Sequence, residues 1–133
     1  MTSRVLLDTH ILVRWLADPK RLSRDQARIL DEAVRRRETV GISAITLLEV
    51  ALLSSDGPLR MKLTADEVFN ELEASPVFRI LPLTIDVAKE VSSLSALRDP
   101  ADRVIVATAR VHGLRLLTSD QRIIESNAVS VVE

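Results

Sequence analysis

Short apolar runs alternate with helical segments along the chain, and this alternation is the strongest constraint on its fold. The apolar runs rich in β-forming residues cover residues 4–7, 39–43, 78–81, 115–118 and 129–132. Most of them lack the polar–apolar alternation of a strand with one wet face, so they are expected to be buried on both faces. Buried strands separated by helices predict an α/β fold with a short, mostly parallel sheet.

Helix-start signals lie between these runs. Capping-box pairs open two helices, Ser23 with Gln26 and Thr64 with Glu67. Asp99, followed by proline, is suited to cap a later helix. The predicted helices cover residues 9–17, 24–37, 46–53, 65–75, 84–97, 100–112 and 121–126. Because the 133 residues show no repeat, low-complexity segment or linker, we expect a single domain, 1–133.

The composition excludes several classes of protein. The absence of cysteine rules out a disulfide framework and a thiolate metal site, and it fits a reducing compartment. A net charge of -1 gives no global basic field, so any binding of nucleic acid must use local patches. No apolar run approaches the ~20 residues of a membrane span, and we expect a cytoplasmic protein. The apolar content of 47% suggests a surface used for association.

Four carboxylates follow or flank the predicted strands in a consistent way. Asp8 ends the first strand, and Glu49 is expected in the first turn of the helix after the second strand. Asp102 begins the helix that precedes the fourth strand, and Asp120 follows that strand. Ligand sites of open parallel sheets lie outside the carboxyl ends of the strands. The topology therefore predicts that all four acids lie at one edge of the sheet.

A cluster of this kind needs compensation, because two like charges ~4 Å apart repel by several kcal/mol at a protein-like dielectric. Either a divalent cation neutralises the acids, or some of them retain protons at a raised pKa. Carboxylate oxygens suit Mg²⁺ or Mn²⁺, ions that promote hydrolysis of phosphodiesters. Nearby helix N-termini are expected to help keep Glu49 and Asp102 ionised.

Each acid also fits a purely structural role. Asp8 and Asp120 could cap the helices that follow them, and Glu49 could complete a capping box with Thr46. Asp102 lies where an acid favours the helix dipole in any case. Both interpretations stay open at this level for each residue taken alone.

Four segments together resemble the acidic motifs of the PIN-domain family, and within it the VapC-like toxins of bacterial toxin–antitoxin pairs. They are LLDTHILVRWL, ITLLEVALL, DPADRVIVATA and LLTSD, in the family's order. The resemblance implies a three-layer α/β/α domain and a Mg²⁺- or Mn²⁺-dependent ribonuclease. It also implies a homodimer inhibited by a cognate antitoxin. By motif, the catalytic and metal-binding acids are Asp8, Glu49, Asp102 and Asp120, with Asp8 and Asp102 holding the principal ion.

The resemblance also implies supporting residues around these acids. Thr118 and Ser119 resemble hydroxyl residues that support the last acid through hydrogen bonds, and Thr9 is suited to do the same beside Asp8. Asp99 fits a helix cap first and a metal ligand second. Arg103 is a candidate for contacting a substrate phosphate, although it fits equally well as an ion-pair partner of its neighbour.

Other classes of protein remain as alternatives. A receiver-like signalling module would need an acid at the end of a central strand and a late lysine. The third predicted strand ends in Leu81-Pro82-Leu83, and the last lysine is Lys89, so this class is disfavoured. A non-catalytic RNA-binding or scaffold protein on the same fold, or a DNA-directed nuclease, stays open.

Overall fold

The computed structural model describes residues 2–55 and 63–133, which form an all-parallel five-stranded sheet of order β3-β2-β1-β4-β5. The predicted α/β fold with a parallel sheet is confirmed. The strands are β1 (Ser3–Leu7), β2 (Thr39–Ser43), β3 (Phe78–Leu81), β4 (Arg115–Leu117) and β5 (Val131–Val132). The helices are α1 (Thr9–Ala17), α2 (Arg24–Arg35), α3 (Ala44–Ser55), α4 (Ala65–Ala74), α5 (Ile85–Val91), α6 (Pro100–His112) and α7 (Gln121–Ser126).

Helices cover both faces of the sheet. Successive side chains of a strand point to opposite faces, and accordingly Leu7 belongs to one buried apolar cluster and Leu6 to the other. The first cluster includes buried residues of α1 to α4, and the second includes those of α5, α6 and α7. The three-layer α/β/α arrangement follows from this division. No helix in the described ranges is long and apolar enough to cross a membrane.

Several helix ends behave as the local signals predict. Ser23 with Gln26 and Thr64 with Glu67 each form a complete capping box. Asp99 accepts hydrogen bonds at the start of α6, which ends at Gly113 in the left-handed conformation with φ 65°. Caps of this kind depend on a few neighbouring residues, which is why the sequence identifies them.

Two helix boundaries differ from the prediction. The helix expected over 84–97 ends at Val91, where the hydroxyls of Ser92 and Ser93 donate to the carbonyls of Lys89 and Glu90. Such bonds offer the backbone an alternative to further helix. The other helix, α3, begins at residue 44 rather than 46, so its first turn contains no acid.

The early start of α3 overturns two expectations about Glu49. This residue lies in the second turn rather than the first, and it forms no capping box with Thr46, which is already inside the helix. The Thr46 hydroxyl instead lies 3.0 Å from the hydroxyl of Thr9. The spacing that suggested a capping box therefore reflects tertiary contact with α1.

Candidate active site

A cavity of about 350 Å³ opens at the carboxyl edge of the sheet. The four acids of the predicted cluster all line it, together with the Asp99 side chain. Four loops or helices supply these residues, and long stretches of chain separate them. The parallel topology thus brings together in space the acids named from the sequence, which are Asp8, Glu49, Asp102 and Asp120.

Asp8 is the most tightly held of these acids. It is 4% exposed, follows β1 directly, and caps α1 by accepting a hydrogen bond from the Thr9 backbone N–H at 2.8 Å. Its second oxygen accepts from the Thr118 hydroxyl at 2.7 Å. The capping role and the place in the cavity are therefore compatible, because each uses a different part of the carboxylate's hydrogen-bonding capacity.

Thr118 connects two of the acids. Its hydroxyl donates to Asp8 and accepts a hydrogen bond from the Asp120 backbone N–H at 3.0 Å. Asp120 in turn caps α7 by accepting from the Arg122 backbone N–H at 2.9 Å. Thr118 is fully buried, so these bonds fix the loop after β4 against the end of β1.

A buried amide supports this connection from the far side. Gln26 is fully buried, and its Nε2 donates to the Thr118 carbonyl at 3.3 Å and to the Val132 carbonyl at 3.1 Å. Its Oε1 accepts from the Ser23 backbone N–H at 3.1 Å. The sequence identifies only the capping role of Gln26, because its two carbonyl partners lie about three-quarters of the chain away.

Thr9 holds the remaining acid of α3. Its hydroxyl donates to Glu49 Oε1 at 2.6 Å, and its backbone N–H binds Asp8. One residue therefore positions two carboxylates. Burial raises the pKa of Glu49, and the negative charge of Asp8 raises it further, whereas the hydrogen bond from Thr9 lowers it.

Ser119 and His10 form a second contact between the same two loops. The Ser119 backbone N–H donates to His10 Nε2 at 3.1 Å, and its hydroxyl accepts from Arg14 Nη1 at 3.2 Å. Burial lowers the pKa of His10. Since Nε2 accepts a hydrogen bond, we assign the proton of the neutral ring to Nδ1, which lies 3.4 Å from Asp8 Oδ2. The Ser119 hydroxyl thus contacts Arg14 rather than an acid.

Asp102 has the most perturbed acidity of the group. Burial raises its pKa from 3.8 to about 7, and the negative charges of Asp99 and Asp8 raise it further, ahead of smaller contributions from other acids. The expectation that helix N-termini keep Glu49 and Asp102 ionised is therefore wrong. Burial and mutual repulsion outweigh the helix dipole of α6, and Glu49 lies beyond the first turn of its own helix.

The donors in the cavity have the chemistry that a hard divalent cation requires. All the acids offer oxygen ligands, and their mutual repulsion is the kind that bound Mg²⁺ or Mn²⁺ relieves. Across residues 2–55 and 63–133, however, no three His, Cys, Asp or Glu side chains converge closely enough to hold an ion as they stand. The donor set fits in type, and side-chain adjustment is needed to complete a coordination shell.

The arginines near the site differ from the expectation. Arg103 Nε donates to the Leu97 carbonyl, so this side chain ties α6 to the preceding turn, and it is not part of the cavity lining. Arg122, at the start of α7, does line the cavity. The sequence offers no signal for Arg122 beyond its place two residues after Asp120.

Comparison with known proteins agrees with these observations. Residues 5–128 match the PIN domain family. The chain is 33% identical over 121 residues to Ribonuclease VapC22 of Mycobacterium tuberculosis (strain ATCC 25618 / H37Rv), a match that covers 90% of this chain and 88% of that protein.

Solved structures share the fold over nearly the whole chain. FitAcB from Neisseria gonorrhoeae superposes with a TM-score of 0.70 at 27% identity, covering 97% of this chain and 96% of that one. A toxin-antitoxin complex from Klebsiella pneumoniae superposes with a TM-score of 0.63 at 22% identity, covering 97% and 96%. The family resemblance of the four sequence motifs is confirmed, and the chain belongs to the PIN-domain family.

Proposed function

We propose that this protein is a Mg²⁺- or Mn²⁺-dependent endoribonuclease, acting in the cytoplasm as the toxin of a toxin–antitoxin pair. The observation that carries the proposal is the convergence of Asp8, Glu49, Asp102 and Asp120 on one cavity. The name of the relative, Ribonuclease VapC22, supports RNA as the substrate.

The electrostatics of the cavity favour a metal-dependent reaction. A fold gains no stability from acids that raise one another's pKa, so their grouping indicates a role in binding or chemistry. When bound, a divalent cation neutralises charge on a phosphoryl group and supplies an acidified water. Asp102, with its pKa raised to about 7, would release its proton as the cation binds.

The roles of the acids follow from how each is held. Asp8 is fixed by Thr9 and Thr118, so it is the best-organised candidate ligand. Asp102 faces the same cavity and is its natural partner in holding the ion. Glu49, oriented by Thr9, and Asp120 complete the set either directly or through water.

The partners proposed are a cognate antitoxin and a second copy of the chain. The solved complex from Klebsiella pneumoniae is named a toxin-antitoxin complex, which supports the first. Large apolar side chains are exposed on α3 and around the start of α5, with Leu48 at 52%, Leu83 at 53% and Ile85 at 75%. Such surfaces favour association. Sedimentation equilibrium of the purified chain distinguishes a dimer from a monomer.

The decisive experiment is cleavage of mixed single-stranded and structured RNAs, with DNA oligonucleotides of matching sequence beside them. We expect Mg²⁺ or Mn²⁺ to support RNA cleavage, EDTA to abolish it, and Asp8→Asn or Asp102→Asn to reduce it by about 10²–10³-fold or more. Asp66→Asn is the matched control, because Asp66 occupies the first turn of α4 as Asp102 does that of α6, outside the cavity lining.

Each other outcome favours a different protein. Cleavage of DNA alone would identify a DNA-directed nuclease. If the folded, antitoxin-free chain binds RNA without cleaving it under any metal condition, a non-catalytic RNA-binding protein replaces the nuclease. Full activity in well-folded Asp102→Asn would contradict the assignment of the site.

A further inference from the structure

A second cavity adjoins the carboxylate site. Its volume is about 420 Å³, within the range of ligand-binding cavities, roughly 300–1,000 Å³. Asp99, Asp102 and Arg122 line both cavities, so the two spaces share one wall. The residues that line only the second cavity are Ala96, Leu97 and Arg98, from the turn that precedes α6.

Two guanidinium groups line this second space. Arg98 and Arg122 are both exposed, and neither side chain forms an ion pair or hydrogen bond with any residue in the described part of the chain. This is unusual for arginines beside Asp99 and Asp102. The charges that raise the pKa of Asp102 are all carboxylates, so neither arginine offsets the acid cluster.

Nearby arginines are already engaged, which sets these two apart. Arg14 donates to Ser119, Arg103 donates to Leu97, and Arg110 Nε lies 2.7 Å from Glu90 Oε1. Arg98 and Arg122 therefore retain their full donor capacity. A guanidinium with free N–H groups is matched in shape and charge to a phosphate.

We infer that Arg98 and Arg122 form a phosphate subsite, which binds the backbone phosphodiester next to the one presented to the carboxylates. The inference rests on the proposed function, and it names the part of the RNA that the second cavity receives. The lining contains no aromatic side chain, so a base cannot stack there as it does in sequence-tolerant single-strand binders. Recognition in this subsite is of the sugar–phosphate backbone, and it is independent of base identity.

The subsite also answers an electrostatic need. An RNA strand that approaches five carboxylates is repelled, and a cation at the acids offsets only the charge near itself. Two guanidinium groups on the adjoining wall hold the neighbouring phosphate where that repulsion is still felt. Their contribution is to binding, so their loss should raise KM more than it lowers kcat.

The test is steady-state cleavage of a fluorescent mixed-sequence single-stranded RNA by wild type, Arg98→Gln and Arg122→Gln over a series of salt concentrations. We expect each variant to raise KM about tenfold, with kcat little changed. Each should also reduce the slope of log KM against log salt by about 0.7, the value for one lost phosphate contact on a single strand.

Arg36→Gln is the matched control, since it removes the same charge from the end of α2, away from both cavities. Arg122→Lys should recover part of the lost affinity, because lysine keeps the charge without the planar fork. Thermal unfolding and far-UV circular dichroism of each variant check that the fold is intact. If wild type cleaves RNA while Arg98→Gln and Arg122→Gln match Arg36→Gln in KM and salt slope, the subsite is refuted and the proposed function stands.

A different result separates the two hypotheses in the other direction. If wild type cleaves no RNA, the proposed function fails, and fluorescence anisotropy with the same RNA in Mg²⁺ then decides the subsite alone. Weaker binding by Arg122→Gln than by Arg36→Gln would support a phosphate subsite in a binding protein. Equal affinities would overturn it.

Discussion

The two edges of the sheet differ sharply in how they treat charge. At the amino edge, a cavity of about 440 Å³ is lined by Val34, Arg37, Glu38, Pro76 and Val77, which precede β2 and β3. Its charges are of both signs, and Glu38 Oε2 lies 2.5 Å from the Nε of an arginine on β1. At the carboxyl edge, five carboxylates line one cavity.

The contrast separates what the fold needs from what it tolerates. Both edges are built by the same strands and the same kind of helix junction, so the parallel sheet alone does not require a cluster of acids. The only ion pair made by the clustered acids within residues 2–55 and 63–133 is that of Asp8 with His10, whose pKa is lowered by burial. The carboxyl edge therefore carries uncompensated charge, and that charge is the mark of function.

The largest effect on stability should come from the buried amide behind the carboxyl edge. Gln26→Leu keeps most of the side-chain volume but leaves the Thr118 and Val132 carbonyls without their donor. Each unsatisfied buried group costs roughly 1–3 kcal/mol, so the free energy of unfolding should fall by about 2–4 kcal/mol in urea titrations. RNA cleavage should fall as well, because the loop that carries Thr118 loses a support.

The second capping box supplies the control. Glu67 makes the same contact with the helix N-cap as Gln26 does, but at an exposed site on α4. Glu67→Leu should cost only about 0.5–1 kcal/mol and leave cleavage unchanged. Equal losses in the two variants would show that Gln26 acts as a helix cap and nothing more.

The next effect sharpens the contrast between the edges through metal binding. If the acids bind Mg²⁺ with a Kd of about 1 mM, 10 mM Mg²⁺ should raise the free energy of unfolding by about 1.4 kcal/mol. Asp102→Asn should lose most of this gain, whereas Glu38→Gln at the amino edge should retain it. Denaturant titrations at matched ionic strength measure the gain, and an equal rise with NaCl would attribute it to general screening.

Much of the fold can be predicted from the sequence because its signals are local. Buried strands read as apolar runs, and the caps at Ser23, Thr64 and Asp99 each depend on residues within one turn. The errors arise where a local pattern has two outcomes. The serines after Val91 end a helix that the apolar spacing extends, and Thr46 has the spacing of a cap but pairs with Thr9.

The candidate site is predictable only as far as topology reaches. A parallel sheet places Asp8 and Asp120 at one edge whatever the details of packing. The sequence cannot show that the Thr118 hydroxyl joins these two acids, or that Gln26 holds the Thr118 carbonyl across 92 residues of chain. It also favours Arg103 over Arg122, because proximity in sequence to an acid does not reveal which side of the helix faces the cavity.

The smallest effect is a pH dependence confined to the carboxyl edge. The pKa of Asp102 rises from 3.8 in its ordinary state to about 7 in the fold. Between these values the folded chain holds a proton that the unfolded chain has released, so stability falls as the pH rises from about 4 to 7 and then levels off. In EDTA, ionisation should lower the free energy of unfolding by about 1 kcal/mol, since the half-exposed carboxyl is screened by solvent.

Other groups titrate in this window, so the measurement must be a difference. The lowered pKa of His10 acts in the opposite direction, because the unfolded chain binds the extra proton near pH 6.5. The charges that shift His10 belong to Asp8, Arg14 and Asp120, and its contribution is therefore common to wild type and Asp102→Asn. The variant should be increasingly stable relative to wild type from pH 4 to 7. A constant difference across that range would mean that Asp102 is ionised throughout, and that the acids at this edge do not raise one another's pKa.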